Sequence, residues 1–211
     1  VRFPFCPLVR SLIRVMVLAG LALAASTTWA ARNILVFGDS LSAGYGIPQD
    51  AAWPSLLAKR LKQERLDYSV ANASISGETT SGGRTRLAAA LEKSEPAVVV
   101  IALGANDGLR GLPIKTMRDN LAAMADAAQK KNARVLIVGQ RLPPNYGPYA
   151  TQFHEAFAAV AREKKTALVD FLLDGVATRP ELFQADNLHP TAEAQPMLLE
   201  TVWQGLAPLL K

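Results

Sequence analysis

The chain has 211 residues, with two histidines, one cysteine and a formal net charge of +5. Three of the basic residues (Arg2, Arg10 and Arg14) lie in the first thirty positions, which hold no acidic residue, so the rest of the chain carries only +2. A charge this small excludes the strongly basic surface that would indicate nucleic acid or an acidic membrane as a partner. Two histidines, with the only cysteine at Cys6, also exclude a His/Cys metal centre.

The first thirty residues have the features of a secretory signal. A basic start is followed by an apolar stretch from Val15 to Ala25, and Thr28 and Ala30 supply small residues at positions −3 and −1 of a signal-peptidase site. An uncleaved anchor is the alternative, but the apolar stretch is short against the ~20 residues that span a bilayer. We predict a signal peptide over residues 1–30, cleavage after Ala30, a periplasmic or secreted protein, and no stable membrane anchor after cleavage.

Five apolar runs follow, each of a length and composition typical of a buried strand. In chain order they are Ile34–Phe37, Tyr68–Ala71, Ala97–Leu103, Arg134–Gly139 and Thr166–Asp170. Segments of helical periodicity alternate with them, over Trp53–Gln63, Thr80–Glu92, Pro113–Lys131, Tyr149–Lys164 and Thr191–Leu209. This alternation predicts an α/β fold, a three-layer sandwich in which helices cover both faces of a parallel sheet of about five strands. Residues 31–211 suffice for one domain with a well-buried core.

In such a sheet every loop that leads from a strand to a helix falls at the carboxyl edge. Ser40 lies in a glycine-rich turn directly after the first strand, and a loop that contains His189 precedes the last helix. A serine hydroxyl becomes a nucleophile when a base accepts its proton, and a neutral imidazole suits that task near pH 7. His154 is the other histidine, but it lies inside a helical segment. His189 is therefore the candidate base.

The base needs a carboxylate to orient it. Asp186 lies three residues before His189 in the same loop and is our candidate, while Asp170 and Asp174, near the end of the fifth strand, remain alternatives. The oxyanion formed in acyl transfer also needs hydrogen-bond donors. Asn106, flanked by glycines after the third strand, and Gly77, after the second, can bring such donors to the same edge as Ser40.

These residues lie in segments that resemble the conserved blocks of the SGNH (GDSL) hydrolase superfamily. The segments are GDSLSAGYG with Ser40, ASISGETT with Gly77, GANDGLRG with Asn106, and DNLHP with Asp186 and His189, and the similarity covers Asn33 to Lys211. Within the superfamily, GANDGLRG, RLPPNYG and HPTAEAQP resemble the exported bacterial acyl-thioesterase, lysophospholipase and arylesterase group. We identify the chain as a member on these motifs.

The resemblance implies a flavodoxin-like sheet of order 2-1-3-4-5 and no cofactor. It implies Ser40 as nucleophile, His189 as base and Asp186 as the residue that orients it. It implies an oxyanion hole from the N–H groups of Ser40 and Gly77 and the amide of Asn106. The expected partner is a small-molecule acyl ester or thioester, and we expect a monomer.

Specificity then depends on the loops around Ser40. These are mostly apolar and suit an acyl chain or an aromatic leaving group. We expect substrate contacts from six of their residues, namely Tyr45, Leu109, Arg110, Leu142, Pro143 and Tyr146.

Three other protein classes share part of this pattern. A dinucleotide-binding domain would need a third glycine where Gln49 stands, and an α/β-hydrolase of the GxSxG type would need a glycine where Ser42 stands. A non-catalytic exported binding module on the same fold is the third alternative. A binding module has no use for the complete set of Ser40, Asn106, Asp186 and His189.

Overall fold

The computed structural model describes residues 32–210, so the signal peptide predicted for residues 1–30 lies outside the described residues. Five parallel strands form one sheet in the order β2-β1-β3-β4-β5. The strands are β1 (Arg32–Gly38), β2 (Tyr68–Asn72), β3 (Pro96–Ala102), β4 (Arg134–Val138) and β5 (Ala167–Val169). The predicted α/β fold class and strand order are confirmed.

In the part of the chain that the structure describes, seven α-helices connect and cover the strands. They are α1 (Ser40–Ala43), α2 (Trp53–Gln63), α3 (Thr80–Ser94), α4 (Ala105–Leu109), α5 (Ile114–Lys130), α6 (Pro148–Lys164) and α7 (Gln195–Leu206). Within residues 32–210, no helix combines the length and the apolarity needed to cross a membrane.

The last helix is shorter than the segment that periodicity predicted. Short 3-10 turns at Ala192–Ala194 and Ala207–Leu209 flank it. Proline explains both ends. Pro196 fits the first turn of a helix because its missing N–H would have no partner there, and Pro208 cannot continue the hydrogen-bond ladder.

The core has two halves, one on each face of the sheet. Successive side chains of a strand point to opposite faces, so Ile34 and Val36 of β1 face one layer of helices while Leu35 and Phe37 face the other. The first layer is α2 and α7, with Trp53, Leu57 and Val202 buried among others. The second is α3, α5 and α6. Because the central strands are covered on both faces, β3 is apolar along its whole length.

The strand order places a crevice beside Ser40. After β1 the chain forms β2 on one side of β1, and it then returns to form β3 on the other side of β1. The loops that follow β1 and β3 therefore diverge at the carboxyl edge, where open α/β sheets bind ligands. Ser40 follows β1 at this point, and α4 with Asn106 follows β3.

The ends of β4 and β5 approach so closely at Gly139, directly after β4, that the position requires a glycine. Its N–H donates to Val169 O over 2.7 Å, and a Cβ atom there would overlap the backbone carbonyl of Asp170. Since backbone cannot move aside cheaply, Gly139→Ala should lower the free energy of unfolding by about 1–3 kcal/mol. Gly82→Ala is the matched control, because a Cβ there comes too close only to the carboxylate end of the Glu78 side chain and lies at an ordinary contact distance of 3.9 Å from Thr79 Oγ1. Urea denaturation of both variants makes the comparison, and equal effects would contradict it.

Candidate active site

Ser40, His189 and Asp186 form a continuous chain of hydrogen bonds. Ser40 begins α1, and its Oγ lies 2.9 Å from Nε2 of His189. Nδ1 of the same ring lies 2.6 Å from Oδ2 of Asp186. With the ring proton on Nδ1, the imidazole donates to the carboxylate and keeps Nε2 free to accept the serine proton. The three residues that the sequence analysis selected therefore lie in hydrogen-bonding order.

The backbone around Asp186 keeps its carboxylate ionised. Oδ1 accepts hydrogen bonds from the N–H groups of His189 and Leu188, each 3.0 Å long. Together with the His189 ring, these donors lower the pKa of Asp186 to about 2. The carboxylate is thus charged across the whole range in which an imidazole titrates.

The side chain and backbone of Gln184, a residue that sequence patterns did not indicate, hold the His189 loop in place. Gln184 N donates to His189 O over 2.8 Å. Nε2 of Gln184 donates to the carbonyls of Pro190 (3.0 Å) and Tyr45 (2.8 Å). Gln184 therefore joins the histidine loop to the loop that follows Ser40, across 139 positions of sequence. No short motif marks such a contact, because a lone glutamine before a turn is common.

The competing carboxylates and the second histidine are engaged elsewhere. Asp170 forms a salt bridge with Arg141, and its Oδ1 lies 3.2 Å from Nε2 of His154. Nδ1 of His154 lies 3.3 Å from Gln140 O. Asp174 lines a separate cavity of about 220 Å³. Of the three candidate aspartates, Asp186 is the one whose side chain forms a hydrogen bond with the His189 ring.

The two oxyanion candidates, Gly77 and Asn106, line the same cavity as Ser40. Gly77 has φ of +80°, a conformation that favours glycine, and its carbonyl accepts a hydrogen bond of 3.2 Å from Arg110. Asn106 lies in the first turn of α4, and its Nδ2 is 3.5 Å from Oδ2 of Asp39.

A buried hydrogen-bond network holds the segments of Gly77 and Asn106 together. Asp107, next to Asn106 and 2% exposed, accepts from Thr80 N over 2.8 Å and from Thr80 Oγ1 over 2.5 Å. Thr80 Oγ1 in turn accepts from Asn120 over 3.2 Å. Thr80 begins the helix that follows the Gly77 loop. The sequence analysis missed this network, since Asp107 and Thr80 are 27 residues apart.

Asp39, immediately before the serine, is fully buried. Its Oδ1 accepts the N–H of Leu41 over 3.0 Å, which caps α1 and sets the direction in which Ser40 leaves the strand. Burial raises the pKa of Asp39 to about 6, although the Leu41 N–H and the nearby His189 act in the opposite direction.

A cavity of about 700 Å³ opens over Ser40 and His189. Four of the six expected substrate contacts line it, namely Tyr45, Leu109, Leu142 and Pro143. Arg110 and Tyr146 are not among its lining residues. Instead, Arg110 bonds to Gly77 O, and the Tyr146 hydroxyl donates to Leu109 O over 3.3 Å. Both therefore brace residues of the cavity.

A further wall of the cavity comes from the connection between β5 and α7, in which sequence patterns gave a role to Asp186 and His189 but to none of the apolar residues. It is apolar for most of its length and consists of Phe171, Leu173, Ala177, Thr178, Phe183 and Leu188. Periodicity does not reveal this wall, because the connection has no regular helix or strand. Within residues 32–210 there is also no cluster of three or more His, Cys, Asp or Glu side chains that could hold a metal ion.

Residues 36–195 match the model of the GDSL-like lipase/acylhydrolase family. The chain belongs to this family. It is 50% identical over 201 residues to esterase TesA of Pseudomonas aeruginosa, an alignment that covers 94% of this chain and 100% of that protein. It is 41% identical over 196 residues to an arylesterase of Vibrio mimicus, covering 92% and 98% of the two chains.

The thioesterase 1/protease 1/lysophospholipase L1 of Escherichia coli is 38% identical to this chain over 185 residues, covering 86% of each protein. A crystal structure of TesA superimposes with a TM-score of 0.83 at 51% identity, covering 84% of this chain and 99% of that one. As a member of this acylhydrolase family, the protein is an ester hydrolase.

Asp186→Asn tests which carboxylate orients the base. Asn keeps an oxygen for the N–H groups of Leu188 and His189, but its NH₂ group faces Nδ1 and favours the ring tautomer with the proton on Nε2. That tautomer cannot accept the serine proton, so kcat should fall by about 10²–10⁴-fold. Asp170→Asn is the matched control and should stay within threefold of the unaltered enzyme. Steady-state ester hydrolysis measures both, and the reverse order of effects would move the role to Asp170.

The buried Asp39 predicts a pH dependence of stability. Its pKa is about 6 in the folded protein against an ordinary value of 3.8, so between these values the folded state binds a proton that the unfolded chain has lost. The free energy of unfolding therefore receives a contribution that falls as the pH rises from 4 to 6.

Asp39→Asn removes that contribution. The difference in unfolding free energy, variant minus unaltered protein, should rise by up to about 3 kcal/mol between pH 4 and pH 7. Chemical denaturation at one-unit pH steps measures this difference. A difference that does not vary with pH would show that Asp39 titrates alike in both states.

Proposed function

We propose that this member of the family hydrolyses acyl esters and thioesters through an acyl-enzyme on Ser40. The observation that carries the proposal is the hydrogen-bonded chain from Ser40 Oγ through both nitrogens of His189 to Asp186, at the base of an apolar cavity. A serine, an imidazole and a carboxylate in this order are the requirements for an activated hydroxyl nucleophile.

In the first half of the reaction Ser40 Oγ bonds to the carbonyl carbon, and its proton moves to Nε2 of His189. The carbonyl oxygen becomes an oxyanion, for which we assign the N–H groups of Ser40 and Gly77 and the amide of Asn106 as donors. Asp186 stabilises the imidazolium that forms. The imidazolium then gives its proton to the departing alcohol or thiol, and the acyl-enzyme remains.

In the second half water takes the place of the alcohol. His189 accepts a proton from the water as the water oxygen attacks the acyl carbon. The bond between that carbon and Ser40 Oγ then breaks, and His189 returns the proton to Oγ. The fatty acid leaves as the second product. Each step uses only protein groups and water, so the proposed reaction needs no metal and no cofactor.

The substrates that we propose are acyl thioesters, lysophospholipids and aryl esters. The apolar lining of the cavity supports an acyl chain as the common element, since each buried methylene contributes about 0.8 kcal/mol. The relatives are named as esterase, arylesterase and thioesterase/lysophospholipase, which supports the same range. We also propose export to the periplasm or medium, on the features of residues 1–30.

A substrate panel on the protein without its first thirty residues tests the function. Acyl-CoA, lysophospholipid and aryl esters of increasing chain length should all be hydrolysed, and Ser40→Ala should abolish both hydrolysis and labelling by a fluorophosphonate. Full labelling of Ser40→Ala would remove Ser40 as the nucleophile. Tight binding of the panel without turnover would support the binding-module alternative.

Asn106→Ala tests the oxyanion assignment. Loss of one donor should lower kcat by about 10²–10³-fold while KM changes little, because the hydrogen bond strengthens only as charge develops on the oxygen. Steady-state kinetics give the two constants, and far-ultraviolet circular dichroism checks the fold. A loss in kcat of less than threefold would mean that Asn106 serves the structure alone.

A further inference from the structure

The proposed mechanism fixes where the departing group must lie. After Ser40 Oγ has bonded to the acyl carbon, the bond from that carbon to the leaving oxygen or sulfur breaks, and Nε2 of His189 supplies the proton that this atom takes up. The leaving atom must therefore come within hydrogen-bond reach of Nε2. The group attached to it extends along whichever surface flanks the imidazole.

Apolar side chains flank the imidazole. The ring of Tyr45 lies against His189 with a centroid separation of 4.5 Å and an interplanar angle of 38°, while 52% of this tyrosine stays exposed. Leu188, the residue before His189, is 42% exposed. Both line the cavity over Ser40. Large exposed apolar side chains are few among residues 32–210, and two of them line this cavity: Tyr45, against the ring of His189, and Leu188, next to His189 in the sequence.

The β5–α7 connection extends this apolar surface. Phe183 pairs with Pro190 in an isolated antiparallel bridge, so its backbone lies beside the His189 loop, and Phe183 also lines the cavity. Phe171 and Leu173 lie earlier in the same connection and line the same cavity. The β5–α7 connection thus adds further aromatic and apolar residues to the cavity that contains the imidazole.

The acyl side of the cavity is built from a different part of the chain. Ala105 and Leu109 belong to α4, the helix of the oxyanion candidate Asn106, and both line the cavity. Leu142 packs on this helix so closely that a Cβ on Gly108 would lie 3.0 Å from its Cδ2. Ser40 thus has one apolar surface on the Asn106 helix and another beside His189.

The charges of the cavity restrict what the His189 side can bind. Among the described residues that line it, the one guanidinium is that of Arg141. This group is held by Asp170 and lies 5.1 Å from the ring centroid of Phe171. The phosphates of a leaving group such as coenzyme A would find no unpaired cation among these lining residues and would have to extend beyond them, whereas a flat uncharged ring would find apolar and aromatic contacts.

We propose that Tyr45, Phe183 and Leu188 form a leaving-group subsite that takes an uncharged aromatic alcohol or thiol. The inference rests on the proposed function, because it uses His189 as the proton donor. It assigns a role to the wall between β5 and α7 that the acyl chain does not require. The subsite acts in acylation alone, since the aromatic group has departed before water attacks.

Two esters with the same hexanoyl group separate the subsite from the rest of the mechanism. One carries 2-naphthol, and the other carries a fluorinated alkyl alcohol of matched acidity. For each, kcat/KM reports acylation, and the steady rate after a burst of released alcohol reports deacylation of the common acyl-enzyme.

Leu188→Ala and Tyr45→Ala should each lower kcat/KM for the naphthyl ester by about tenfold and for the alkyl ester by less than threefold. Deacylation should not change. Because either variant alone suffices for the comparison, the test still holds if the other one does not fold. An equal loss for both esters, or a matching loss in deacylation, would overturn the subsite, because the residues would then serve His189 itself.

Two control leucines complete the design. Leu142→Ala, on the Asn106 side, should lower kcat/KM by the same factor for both esters. Leu112→Ala truncates a leucine that is 36% exposed and does not line the cavity, so it should change neither. Failure of the proposed function gives a different result, in which the unaltered protein shows no burst and no acyl group on Ser40.

Discussion

The parallel pairing of β1 with β3, and the divergence of the loops that follow them, is the constraint on which the rest of the structure depends. Gly38 at the end of β1 lies opposite Ala102 at the end of β3. Ser40 and Asn106 therefore emerge side by side although 66 positions separate them in the sequence. Because the core on both faces of the sheet holds these strand ends, the two segments need little further support to stay in place.

Two aspartates with opposite surroundings add to this support. Asp39 is buried, and the loss of hydration raises its pKa to about 6. Asp186 lies on an exposed loop, where two N–H groups and an imidazole lower its pKa to about 2. Asp39 caps the helix that presents Ser40, and Asp186 holds the ring that faces it. The same side chain thus serves as a buried cap in one place and as an ionised hydrogen-bond acceptor in the other.

Much of the fold could be predicted from the sequence, because the five apolar runs and the helical periodicities are each local patterns. The bounds of α2, Trp53–Gln63, follow directly from its periodicity. Ser40, Asp186 and His189 could be selected because strand order brings specific loops to one edge. The short helices α1 and α4 were predicted as turns, since five residues or fewer show no helical period.

Contacts between distant polar residues could not be predicted. Gln184 with Tyr45, and Asp107 with Thr80, are single pairs whose side chains meet only once the sheet has formed. The wall from Phe171 to Leu188 was also missed, since it is irregular backbone whose apolar residues face a cavity rather than a helix. Pattern analysis detects repeats along the chain, and these features have none.

A crystal structure of the protein after reaction with an alkyl aryl phosphonate would test the central claim most directly. The account predicts phosphorus bonded to Ser40 Oγ and its doubly bonded oxygen about 2.7–3.1 Å from Gly77 N and Asn106 Nδ2. It also predicts that the alkyl group lies toward Leu109 and Leu142. A phosphorus on any other residue, or an oxygen turned toward His189 and away from Asn106, would contradict the account.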